Sequence, residues 1–350
     1  MQLLDFPPSD RAVDSGPRRA PGRIIPGLAI CFAVAAASTA LGHLVPVFGG
    51  PAFGIVFGMA LSLATPFQRV LQAGAGIASR QLLQLSVVIL GAELSLHDVV
   101  RVGLGSLPVM LGTLTLALVG ARLFGRLLRV DGDLRTLIGV GTGVCGASAI
   151  AAVTRVVGAA ETDVAYSLST IFAFNVLAVL LYPPLGHAMG MSQHTFGLWS
   201  GTAINDTSSV VAATATYGTV ASSYGVVVKL TRALMIVPIC AWLAARQLRK
   251  TRSDAESAVT TMPRWWKLVP WFIGYFLLAV LANTIGLVPH AWHANLSSSA
   301  TFLITVALVG VGLSARFDEM RRSGLRPLAL GAALWMTVGL SSLALQAVFR

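Results

Sequence analysis

Apolar segments long enough to cross a bilayer recur along almost the whole of this 350-residue chain, and no other property constrains its fold as strongly. A membrane-spanning helix needs about 20 apolar residues, and lipid offers no partner to an unpaired backbone N–H or C=O. By that measure about eleven spans are predicted, near 23–44, 47–66, 80–96, 103–121, 136–154, 164–184, 195–217, 222–245, 268–288, 298–314 and 327–348. The second is expected to be short and irregular, because it holds Gly49, Gly50, Pro51, Gly54 and Gly58. The fold class is therefore an all-α membrane protein, with one polytopic transmembrane domain over 23–350. Residues 1–22 contain Pro7, Pro8, Pro17 and Pro21 and no apolar core, so a disordered cytoplasmic tail is expected there and not a signal peptide.

Charge supports the same reading. Hydrophobic residues make up 55% of the chain and charged ones 11%, which excludes a soluble globular domain. The net charge of +11 does not point to nucleic acid, because Lys and Arg lie in short clusters between the spans. With a cytoplasmic N-terminus, twenty of the 25 fall on the cytoplasmic side and three, Arg101, Arg155 and Arg350, on the other. An even number of spans would scramble that asymmetry. The expectation is an inner-membrane protein with its N-terminus inside and its C-terminus in the periplasm.

A repeat is visible at an offset of 219 residues without a gap. Gly91-Ala-Glu-Leu-Ser95 aligns with Gly310-Val-Gly-Leu-Ser314, and Gly105/Gly324, Pro108/Pro327, Leu111/Leu330, Gly112/Gly331 and Gly120/Gly339 also coincide. In each copy a helix is expected to end in GxxLS, with a Pro opening the next. The helix pairs 81–120 and 301–340 would cross the membrane in opposite senses, and inverted repeats of this kind mark secondary transporters with broken helices at the bilayer midplane. A weaker echo relates Gly141-Thr142 and Ala151-Ala152 to Gly201-Thr202 and Ala212-Ala213, two segments that run the same way and whose spacings differ by one residue.

Leu137–Thr154 is the stretch that points to a site. Five of its first ten residues are Gly or Thr, and backbone that departs from helix at membrane depth must be buried in protein or line a wet cavity. An interruption is expected between about Gly139 and Gly146. Gly141, Thr142, Gly143, Cys145, Gly146 and Ser148 would then expose amides at the start of a half-helix, a terminus suited to an anion. Close packing of small residues is the plainer reading of the same composition.

Lys229 and Arg232 lie three apart inside the eighth span and share a helical face. Each costs roughly 2.5 to 3.5 kcal/mol at the bilayer centre, so they are expected to face the glycine-rich stretch and, with Asn205 and Asp206, to bind an anionic substrate that supplies the missing negative charge, or else to sit near one end and snorkel to the headgroups. Asp206, preceded by Asn205, is the only acidic residue of the seventh span, and Glu93 lies near the edge of the third. Both are candidates for a coupling ion or proton, and Asp206 for pairing with an embedded cation. Cys31, Cys145 and Cys240 match no metal spacing, so neither metal nor cofactor is expected. An intramembrane enzyme would need a nucleophile such as Cys145 or Ser148 with a His in reach, and every His sits near a span end.

IGVGTGVCGASAIAA (138–152), GTAINDTSSVVAA (201–213), VVKLTRALMIVP (227–238) and the two GxxLS helices resemble the bacterial family named for sulfate export, a conserved hypothetical membrane family. The likeness runs from about residue 25 onward. It implies a multi-pass inner-membrane protein distantly similar to the cation:proton antiporter and bile-acid:sodium symporter superfamily, whose fold has a panel domain and a core domain with broken helices. Where that family commonly carries a His before the acidic residue this chain has Asn205, and Ser209 replaces a frequent Gln. The function expected is a secondary transporter, an exporter, of a small sulfate-like or organosulfur anion, as a homodimer in the lipid bilayer and coupled to a proton or sodium. The alternatives are a sodium or proton antiporter centred on Asp206, or an anion channel. With no GxxxxGK[ST] motif, ATP-driven pumping by this chain alone is not expected.

Overall fold

A computed structural model describes residues 24–44, 49–64, 68–236, 238–240, 242–243, 271–314 and 324–349; the expected tail at 1–22 and the basic segment 244–270 lie outside them. Among the described residues no strand occurs. The helices are α1 (Ile24–Leu44), α2 (Gly49–Ala64), α3 (Gln68–Ile77), α4 (Leu83–Gly91), α5 (Leu96–Leu127), α6 (Gly132–Gly143), α7 (Ala147–Val157), α8 (Glu161–Ala188), α9 (Gln193–Ala203), α10 (Thr207–Tyr217), α11 (Thr219–Ala233), α12 (Trp271–Thr284), α13 (His293–Leu313) and α14 (Leu325–Val348). A π-helical turn, Ala78–Leu82, joins α3 to α4.

Among the described residues, seven stretches of helix are long and apolar enough to cross a membrane, and two more, Gly50–Leu63 and Phe272–Thr284, are apolar but shorter. Leu104, Val119, Leu123, Leu278 and Leu340 point outward, as they can where the surrounding medium is lipid. The second predicted span is short, 16 residues, but it is a continuous helix and not an irregular one.

Helix ends explain where the other boundaries depart from hydropathy. The Ser95 hydroxyl accepts the Asp98 amide, so α5 starts at Leu96, well before the apolar run predicted from residue 103. Pro108 therefore lies inside α5 and does not open it, whereas Pro327 is in the first turn of α14. Glu161 and Asp163 occupy the first turn of α8, where their charge complements the positive helix end and extends the helix beyond the predicted 164–184.

Packing relies on close backbone approach. A Cβ on Gly58 of α2 would stand 2.5 Å from the Val309 carbonyl oxygen of α13, and one on Gly312 of α13 would stand 2.5 Å from that of Ile55. Only glycine permits this contact. Ile55, Val87, Phe276, Ile304 and Leu308 fill the space between α2, α4, α12 and α13. Leu114, Leu137, Val144, Ile150, Ile171 and Ile236 fill a separate core around α6 and α7. Helix α14 docks on α9 through polar contacts: Trp199 Nε1 donates to the Gly339 carbonyl at 3.0 Å, and the Thr202 and Ser342 hydroxyls are 2.7 Å apart. Tyr182 of α8 stacks on Trp199 with ring centroids 4.2 Å apart.

Candidate functional site

Two of the helices are interrupted, and the breaks meet. Helix α6 ends at Gly143 and α7 begins at Ala147, so the interruption predicted between Gly139 and Gly146 falls at Val144–Gly146. Gly146 has φ 66° and ψ −124°, a conformation open to glycine, and this turns the chain into α7. Helix α9 ends at Ala203 and α10 begins at Thr207. A Cβ built on Gly146 would lie 3.5 Å from the Asp206 Cβ and 3.6 Å from the Asn205 carbonyl oxygen.

Each break exposes main-chain groups that a helix would have paired. The last C=O groups of α6 and α9 carry a partial negative charge of about half a unit at each helix end. Lys229 and Arg232, both on α11, supply the missing donors. Lys229 Nζ donates to the Val144 carbonyl at 2.9 Å and to that of Ile204 at 2.7 Å. Arg232 donates from Nε to Gly143 O at 2.8 Å, from Nη2 to Thr142 O at 3.2 Å and from Nη1 to Thr202 O. Both side chains are 0% exposed, so neither snorkels to the headgroups. Their spacing of three residues places them one helical turn apart, and each cation reaches both breaks.

This arrangement accounts for the weak echo in the sequence. At an offset of 60 residues Thr142 matches Thr202 and Val144 matches Ile204, and each matched pair shares one donor, Arg232 for the first and Lys229 for the second. The likeness belongs to the half-helix before each break. The Ala-Ala pairs lie beyond the breaks, so their one-residue mismatch does not disturb it.

The N-terminal half-helices differ from each other. Asp206 is the N-cap of α10: its Oδ2 accepts the Ser208 amide at 3.0 Å and also the Ser208 hydroxyl. Among the described residues no ion pair involves Asp206, so the expected pairing with Lys229 or Arg232 is not formed; the cations are held by carbonyls instead. Helix α7 has no side-chain cap. The first-turn amides of Ala147 and Ser148 have no intrahelical partner. Ser148 is exposed, although Gly141, Thr142, Gly143, Cys145 and Gly146 are buried.

One residue at the junction escaped the sequence reading. Asn175 of α8, 3% exposed, accepts the Asp206 amide on Oδ1 at 3.3 Å, and its Nδ2 has no partner among the described residues. It is an uncharged side chain in an apolar span, so a search for ionisable groups passes over it. Among the described residues Thr142 Oγ1 and Asn205 Oδ1 are also buried without partners. Glu93, whose Oε1 is likewise buried without a hydrogen-bond partner among the described residues, lies apart from the junction. It lies in the α4–α5 turn, beside Leu94, whose carbonyl accepts from Asn283 of α12 at 3.2 Å. Among the described residues no cluster of His, Cys, Asp and Glu could hold a metal ion, and the three cysteines are free and buried.

The sequence model of the family described as Conserved hypothetical protein 698 matches residues 26–331. A UPF0324 membrane protein of Streptococcus agalactiae serotype V is 36% identical over 332 residues, 93% of this chain and 97% of the relative. One from Streptococcus mutans is 37% identical over 328 residues, 91% and 96% of the two chains. A third, from Fusobacterium nucleatum, is 33% identical over 342 residues, 92% and 97%. A match of this extent, on a chain of recurrent apolar helices, makes this a multi-pass membrane protein that belongs to the UPF0324 family, Conserved hypothetical protein 698.

Proposed function

We propose that the chain is a secondary transporter, with no enzymatic step, that exports a small anion of the sulfate or organosulfur class across the bacterial inner membrane. The observation that carries this reading is the asymmetry of the two breaks. Both C-terminal half-helix ends are matched by buried cations and one N-terminal end is matched by Asp206, while the start of α7 is left positive and accessible at Ser148. A helix N-terminus with free amides in a water-poor site favours an anion. On this reading Lys229 and Arg232 hold the backbone in its broken form and do not touch the substrate, which is bound by the segment Gly141–Ser148 and the Asn205–Asp206 turn.

The architecture that goes with it has eleven crossings, if α3–α4, α6–α7 and α9–α10 each count as one. The N-terminus is then cytoplasmic and the C-terminus periplasmic. The inverted repeat of 81–120 and 301–340 rests on the ungapped sequence match, and its matched glycines do not pack against equivalent partners. Gly112 and Gly120 of α5 face Leu345 and Leu334 of α14, and Gly331 and Gly339 of α14 face Phe174 and Tyr182 of α8. The broken-helix core suits the proposed distant kinship with cation:proton antiporters and bile-acid:sodium symporters, as does a homodimer.

A sodium or proton antiporter centred on Asp206 is the second reading, favoured by the partly exposed carboxylate beside the unpartnered Asn205 Oδ1, with Glu93 as a further titratable group. Uptake of labelled anions into proteoliposomes, under imposed pH and sodium gradients, separates the two. The transporter predicts saturable uptake and counterflow driven by unlabelled anion inside the vesicle. Flux that neither saturates nor shows counterflow indicates a channel, and sodium–proton exchange without anion movement indicates the antiporter.

A further inference from the structure

The charges at the junction can be counted. With Lys229 protonated, it and Arg232 contribute two positive units and Asp206 one negative, and the two C-terminal and two N-terminal half-helix ends cancel at about half a unit each. One positive unit remains. The donors of Lys229 and Arg232 go to carbonyls, so neither of these two cations is turned to the start of α7. The donors left at the junction are neutral: the Ala147 and Ser148 amides at the uncapped start of α7, and Asn175 Nδ2.

The position of Asn175 makes it part of this site. Its Oδ1 is fixed by the Asp206 amide, whose residue lies against Gly146. Ile171, one turn earlier on α8, has a methyl 3.4 Å from where a Gly146 Cβ would stand, so the face of α8 bearing Asn175 lies along the break. The second branch of the amide, Nδ2, is buried, unpartnered and beside the uncapped end of α7. A buried donor without an acceptor is costly, and a ligand that accepts a hydrogen bond removes that cost.

We infer that the site takes a singly charged oxoanion, such as an organosulfonate, in preference to doubly charged sulfate, and that Asn175 Nδ2 is one of its direct donors. This rests on the anion-transport reading above. One negative unit completes the junction, whereas a second would be held in a low-dielectric site without a counter-charge. Specificity would come chiefly from charge count, since methanesulfonate and sulfate share a tetrahedral face of three sulfur-bound oxygens.

The test is exchange of labelled methanesulfonate in proteoliposomes, with unlabelled methanesulfonate or sulfate as competitor at matched ionic strength. The inference expects saturable exchange, with sulfate competing at least about thirtyfold more weakly, as one uncompensated charge at intermediate dielectric requires. Asn175→Asp keeps the acceptor for the Asp206 amide but replaces the donor by a carboxylate, so it should abolish exchange while the purified variant still elutes as a single species. Asn175→Leu removes both groups and should also abolish exchange. Sulfate competing as well as methanesulfonate would overturn the charge assignment and leave anion transport standing. Wild-type exchange in both variants would remove Asn175 from the site. Movement of sodium or protons with no movement of either anion would overturn the underlying reading.

Discussion

Arg232→Gln isolates the role given to the buried guanidinium. The wild-type side chain donates to the carbonyls of Thr142, Gly143 and Thr202, and a glutamine amide, shorter and less branched, can reach one of them. At least two buried carbonyls then lose their donor, at about 1–3 kcal/mol each, which favours local opening of the breaks by at least about 2 kcal/mol. Cys145, 5% exposed and inside the first break, reports that opening. With Cys31 and Cys240 changed to Ser, its labelling by a membrane-permeant maleimide in lipid nanodiscs should accelerate by about thirtyfold or more, since about 1.4 kcal/mol is tenfold in an equilibrium. Arg232→Lys, which keeps the charge and can reach two carbonyls, should fall between. A labelling rate for Arg232→Gln equal to that of the Cys145-only parent would show that the guanidinium does not hold the breaks, and the argument for a structural cation would fail.

Three further outcomes follow from the same geometry. Gly146→Ala meets no atom closer than 3.4 Å, so its cost should be that of backbone strain, roughly 1–3 kcal/mol, read as a lowered thermal midpoint with exchange lost. Asp206→Asn keeps an acceptor for the Ser208 amide and should cost under about 1 kcal/mol in stability; anion exchange should persist, whereas an antiporter would lose its response to pH and sodium. Trp199→Phe removes the indole donor to the Gly339 carbonyl, which keeps its partner within α14, and should destabilise the docking of α14 by about 0.5–1.5 kcal/mol, seen as a lower thermal midpoint, while stacking on Tyr182 is retained.

Most of the membrane fold was legible because hydrophobicity is a local property. The apolar runs located nearly every helix, and the glycine density of 137–146 located the first break to within a few residues. Helix ends were less legible, since Ser95 sets the start of α5 through one hydrogen bond that hydropathy does not register. The partners of Lys229 and Arg232 could not be read either. They are main-chain carbonyls, which every residue has, so no side-chain pattern announces them, and the search for an acid led to a pairing with Asp206 that the fold does not make. Asn175 was missed for a related reason: its importance comes from lying 31 residues from Asp206 in sequence yet beside it in space.

The central claim is that an anion binds at the start of α7 and not at the embedded cations. Anomalous diffraction from crystals grown in sodium bromide tests it directly, because bromide is singly charged and its position is read without assumptions about transport. The account predicts a peak within hydrogen-bond distance of the Ala147 or Ser148 amide and Asn175 Nδ2. A peak at Lys229 Nζ or the Arg232 guanidinium, with the start of α7 empty, would contradict it.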